Sequence, residues 1–111
     1  MVGPISSMML ALGIAMIGTA DMARAGPAPE QEIALKAFAF APSSIVVRSG
    51  TTVTWKNFDE EPHTVVSTTG LFRSDALDQN DSFSFKFGEP GEYQFICSIH
   101  PQMRGTVIVT K

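Results

Sequence analysis

Pro90-Gly91-Glu92-Tyr93-Gln94-Phe95-Ile96-Cys97-Ser98-Ile99-His100-Pro101-Gln102-Met103-Arg104-Gly105-Thr106-Val107-Ile108-Val109-Thr110 is the stretch from which the rest of the chain can be read. Pro90-Gly91 is a turn signal, and behind it Tyr93, Phe95 and Cys97 recur at the period of two that places side chains on one face of a β-strand. Gly105 to Thr110 reads as a second strand. The loop between them carries a thiol, an imidazole and a thioether, spaced evenly at Cys97, His100 and Met103. Two strands joined by a loop loaded with soft donor atoms are the frame against which the upstream sequence is to be fitted.

The same period runs back towards the N-terminus. Asp81 to Phe87 alternates strictly, with Phe83, Phe85 and Phe87 inward and Ser82, Ser84 and Lys86 outward. Thr51 to Lys56 places Val53 and Trp55 on one face, Ser44 to Arg48 is a short β-branched run, and Glu32 to Ala37 aligns Ile33, Leu35 and Ala37. Thr64 to Ser67 is a further short run after an acidic turn, and Leu71 to Gln79 reads as a loop. Short strands punctuated by Gly and Pro predict an all-β, antiparallel sandwich or barrel. Phe38, Phe40, Trp55, Phe83, Phe85, Phe87 and Phe95 are the expected aromatic core. With 111 residues the chain has room for one domain, and a net charge of -3 carries no basic footprint for nucleic acid.

The N-terminal segment predicts export. Met8 to Ala20 is apolar and of signal-core length, and Ala23-Arg24-Ala25 offers the small residues a signal peptidase reads, so cleavage is expected before Gly26. No Lys or Arg precedes the apolar run, and Met1 to Ala20 is uncharged, which leaves an uncleaved membrane anchor as the alternative. Pro4, Ser6-Ser7, Gly13 and Gly18 make that run a poor spanning helix. The expected organisation is a signal over 1–25, a flexible lead-in over 26–31 and a domain over 32–111.

Removing the signal sharpens the chemistry. The methionines are at 1, 8, 9, 16, 22 and 103, so Met103 alone survives cleavage; the histidines are His63 and His100, and Cys97 is the one cysteine. Singly, each has a structural explanation as core or filler. Jointly they make one Cys, two His and one Met, the donor set of a type 1 copper centre. An exported chain with an unpaired thiol is exposed to oxidation, and metal ligation protects it. Structural zinc sites rarely recruit Met.

From about Ile33 to Val109 the chain resembles the cupredoxins of the amicyanin and plastocyanin type. The resemblance rests on Gly50-Thr51-Thr52-Val53-Thr54-Trp55 with Asn57, on Pro62-His63-Thr64-Val65, on Pro90 to Cys97, and on His100 to Gly105. It implies a Greek-key β-sandwich or barrel holding one type 1 copper ion, with His63, Cys97 and His100 as equatorial ligands and Met103 as the axial one. It also implies a periplasmic, monomeric one-electron carrier rather than an enzyme, docking with redox proteins such as a c-type cytochrome or a periplasmic dehydrogenase, with no membrane contact after cleavage. A copper chaperone or buffer is the alternative that the donor set alone leaves open. Tyr93 matches a family tyrosine that braces a strand corner. Two positions depart from the pattern: Thr64 stands where many relatives have an Asn that ties the ligand loops together, and Gln102 stands where amicyanins have an apolar residue. Asp59-Glu60-Glu61 is either a solvated turn or a docking patch for a basic partner.

Overall fold

Eight strands account for the regular structure of the computed structural model, which describes residues 29–111: β1 (Glu30–Lys36), β2 (Ala39–Ala41), β3 (Ser44–Arg48), β4 (Thr51–Asn57), β5 (Val66–Ser67), β6 (Ser82–Phe87), β7 (Gly91–Ile96) and β8 (Arg104–Thr110). The expected signal segment and most of the lead-in lie outside the described residues. Glu30 and Gln31, the last residues of that lead-in, are already in β1, opposite Thr52 and Val53.

Alternation of side chains decides which face each strand buries. β4 is buried at Thr51, Val53, Trp55 and Asn57 and half-buried between them, because the sheet packs on its partner through one face only. One sheet runs β2-β1-β4-β6 and the other β3-β8-β7-β5. Trp55, fully buried, lies at the centre with Phe72, Phe83, Phe87 and Phe95 around it, ring centroids 5.3–6.3 Å away. Burying a side chain of this class stabilises by about 1.5–3 kcal/mol. The Tyr93 hydroxyl donates to the Glu89 carbonyl at 2.6 Å, bracing the entry to β7.

The sandwich is mixed rather than antiparallel throughout. β1 pairs with β4 in parallel, as does β3 with β8. Periodicity identifies a strand but says nothing of its partner. Here β3 crosses to the second sheet and β4 returns to the first, so β4 arrives running the same way as β1. β2 was not foreseen. It is three residues long, and its turn holds Phe38, which is 45% exposed rather than in the core. Phe83 and Phe85 are half-buried against the core, and Phe40, Phe87 and Phe95 are within it.

Candidate metal centre

The chain leaving β4 is shaped by Asn57, a fully buried amide. Its side-chain nitrogen donates to the carbonyls of Glu61, at 2.8 Å, and Leu77, at 2.9 Å, and its side-chain oxygen accepts the Asp59 N–H. This hub folds residues 57–63 back on themselves and delivers His63 to the pole of the sandwich. There His63 forms a two-bond bridge with Leu77: its N–H donates to the Leu77 carbonyl at 3.1 Å, and the Leu77 N–H returns a bond at 2.7 Å. His63 is therefore held by backbone on one side and packed to 0% exposure.

Cys97 follows the last residue of β7 and is also fully buried. Its N–H donates to the Met103 carbonyl at 3.1 Å, and the Met103 N–H donates to the His100 carbonyl at 2.9 Å. The β7–β8 loop is thus a compact closed turn, with Met103 buried and His100 half-exposed. The Cys97 Sγ lies 3.8 Å from Nδ1 of His63 and 3.8 Å from Nδ1 of His100, and donor atoms of the three side chains all lie within 4.8 Å of one another. Metal bonds of about 2.0 Å to imidazole and 2.3 Å to thiolate, if set in a trigonal plane, would give a sulfur–nitrogen gap of about 3.7 Å. The donor separations fit a bound ion of this kind. With Met103 closing the same loop, the arrangement is consistent with a single type 1 copper site.

The pocket also prepares the sulfur. Burial by itself raises the Cys97 thiol, but hydrogen bonds from the Thr64 N–H, from the side chain and backbone of His100 and from His63 outweigh it. They bring the pKa down from 9.0 to about 6. The Thr64 N–H lies 3.4 Å from Sγ. A thiolate ready at neutral pH is what metal uptake needs. In the metal-free protein this predicts a pH-dependent stability. A depressed folded-state pKa adds stability that is complete above the unfolded value near 9 and is lost as pH falls through 6. The unfolding free energy of the metal-free protein, read from urea titrations, should therefore rise between pH 6 and 9, by at most a few kcal/mol at about 1.4 kcal/mol per pKa unit. Cys97→Ser should flatten that rise, and equal slopes for the two proteins would refute it.

Three contacts around the donors were not foreseen. Thr64, the departure from the family pattern, still ties the two loops: its Oγ1 accepts the Ser98 N–H at 2.8 Å and shares a second hydrogen bond with the Ser98 hydroxyl. Asp59, read as part of an acidic surface turn, faces inward instead. One carboxylate oxygen accepts from His63 Nε2 at 2.8 Å and from the Phe38 N–H at 3.0 Å, and the other accepts the Ala37 N–H at 2.8 Å. Despite the cost of burial, these bonds and the charge of His63 hold the carboxyl below its ordinary range. The Asp59 side chain is 14% exposed, so Glu60 and Glu61 are what remains of the acidic surface. Finally, Phe38 sets its ring edge-to-face against both His63 and His100. Asp59 lies only four residues before His63, but its bonds to Ala37 and Phe38 span 22 and 21 residues, and Phe38 reaches the site through a turn whose register only the sheet defines.

Comparison with known proteins agrees with this geometry. A cupredoxin-like domain model matches residues 7–109. Amicyanin-alpha of Methylorubrum extorquens is 31% identical over 97 residues, covering 83% of this chain and 82% of the relative. A plastocyanin of Scenedesmus fuscus is 34% identical over 86 residues, covering 66% and 88%. Among solved structures, a purple cupredoxin from Nitrosopumilus maritimus superposes with a TM-score of 0.67 at 34% identity, over 72% of this chain and 99% of that one. A β-sandwich whose two loops bring a thiolate and two imidazoles to one pole, matched by that domain model over nearly its whole length, places this chain in the cupredoxin-like family.

Proposed function

We propose that the protein is an exported one-electron carrier in which His63, Cys97, His100 and Met103 hold one type 1 copper ion. The observation that carries this reading is the uneven burial of the four. His63, Cys97 and Met103 are at most 2% exposed, while His100 reaches the surface in the loop between β7 and β8. Copper bound there supplies a one-electron couple between Cu(I) and Cu(II). The protein's part is to keep the thiolate ionised, to exclude water from the buried donors and to hold both loops so that little moves when charge changes. His100 gives a partner's surface its point of contact, beside Pro62, Pro101 and Gln102. The chain's two histidines are both in this cluster, which leaves none for a second, catalytic copper centre. We read the protein accordingly as a carrier and not an enzyme, acting as a monomer in the periplasm after cleavage before Gly26, with a short lead-in that ends where β1 begins at Glu30.

The test is electron transfer itself. The reduced protein, mixed with an oxidised lysine-rich c-type cytochrome, should lose one electron per copper and turn blue, with the copper still bound after gel filtration. Copper lost to the cytochrome fraction would overturn the carrier reading. The remaining acidic pair, Glu60 and Glu61, is expected to steer such a basic partner. The rate should fall several-fold as salt passes about 0.1 M, where the Debye length is about 10 Å. Glu60→Gln with Glu61→Gln should flatten that dependence, and an unchanged salt slope would remove the pair from docking.

A further inference from the structure

The hairpin between β1 and β2 is built against local preference. Lys36 pairs with Ala39, so the loop is Ala37-Phe38, and both residues have positive φ, 53° and 55°. A two-residue hairpin of this kind ordinarily uses Asn-Gly, because a Cβ is disfavoured at positive φ. Strain of this kind persists where the surroundings hold it, and it gathers at functional sites. What holds it here is Asp59, whose carboxylate accepts the N–H groups of both strained residues. The same carboxylate accepts from Nε2 of His63, leaving Nδ1 for Cys97's side of the cluster.

The strained turn places an aromatic ring where the sequence has no reason to put one. The centroid of Phe38 lies 5.3 Å from that of His63 and 5.0 Å from that of His100, and the two imidazoles are 5.1 Å apart. Each pair is inclined by 69–86°, within the edge-to-face range that aromatic rings favour. Phe38 is 45% exposed, so one side of the ring faces solvent and the other closes on the histidines.

We propose that Phe38 is a keeper over the metal pole, retaining His100 against His63, and that Asp59 is the positioning residue that holds this keeper and the His63 ring in one register. The inference rests on the ligand reading above. Asp59 acts twice, directly on His63 as the carboxylate partner of a ligating imidazole, and through the turn on Phe38. Phe38 sets its ring against both imidazoles from the solvent side, so it couples the braced histidine to the one on the exposed loop.

The turn itself supplies a variant that separates this role from folding. Phe38→Gly removes the ring and installs the residue best suited to positive φ, so its melting temperature should equal or exceed that of the wild type. Its reduced, copper-loaded form should nevertheless hand Cu(I) to bicinchoninate at least tenfold faster, with Phe38→Leu in between. In the metal-free protein, Asp59→Asn should speed amide hydrogen exchange at Ala37 and Phe38 at least tenfold. Adding Phe38→Gly to Asp59→Asn should quicken copper release little further, because the ring is already loose. A Phe38→Gly protein that releases copper at the wild-type rate overturns the keeper role. A full tenfold increment in the Asp59→Asn background, or unchanged amide exchange, overturns the positioning role. Wild-type protein that takes up no copper would overturn the ligand reading and this inference together, whereas normal uptake with no Phe38→Gly effect overturns this inference alone.

Discussion

Cys97→Ser is expected to abolish the intense blue colour of the Cu(II) protein and most of its copper affinity. The colour of such a site is thiolate-to-copper charge transfer, and a hydroxyl oxygen cannot supply it. The substitution is nearly isosteric, and Cys97 is fully buried with its N–H bonded to the Met103 carbonyl, so the loop should keep its shape while the chemistry goes. Met103→Leu should retain much of the colour, because the axial bond of these sites is long and weak, and a leucine fills similar volume in a buried position. Visible spectra and copper titrations of the three proteins decide the matter. A Cys97→Ser protein that stayed blue would remove Cys97 from the metal.

Gly105→Ala should strongly destabilise the domain, because among the described glycines it is the one whose added Cβ would meet atoms closer than 3.0 Å. Gly105 is the second residue of β8, directly opposite Phe95. A Cβ there would lie 2.5 Å from Phe95 Cζ, 2.7 Å from Phe95 Cε2 and 2.7 Å from the Ser43 carbonyl oxygen. None of these can give way cheaply. The Phe95 ring is wedged between Phe40 and Trp55, with centroids 4.7 and 5.3 Å away, and the Ser43 carbonyl accepts the Thr106 N–H that helps join β3 to β8. Overpacking of this kind costs about 1–3 kcal/mol and more where backbone must move. At about 4–8 °C per kcal/mol for a domain of this size, that cost lowers the melting temperature by roughly 4–24 °C. Phe95 is two residues before Cys97, so copper retention should suffer too. A Gly105→Ala protein melting within about 2 °C of wild type would show that β7 and β8 have slack that the packing denies.

Both expectations draw on residues that the sequence marks unequally. Cys97 and Met103 are legible from residue type alone, because once the expected signal is removed each is the last of its kind and both sit in one short loop. Gly105 appears in the sequence only as a small residue after Arg104. Its necessity comes from Phe95 across the ladder and from Ser43, 62 residues earlier, which no local pattern connects to it.

By itself the sequence determined seven of the eight strands, the buried face of four of them apart from Ala37, which lies exposed in the turn, and a donor set of one thiol, two imidazoles and one thioether. These are properties of residue type and of a period of two, and both survive without any long-range contact. Tertiary structure alone decided that β1 joins β4 and β3 joins β8 in parallel, since strand partners depend on how the chain crosses between sheets. It also turned Asp59 inward and Phe38 outward. A carboxylate in an acidic run is surface-like until two strained N–H groups and an imidazole converge on it, and a phenylalanine is core-like until a two-residue turn lifts it onto a pole. The donor types are written in the sequence; the clasp over two of them forms only where the turn at Ala37 and Phe38 meets Asp59, 22 and 21 residues away.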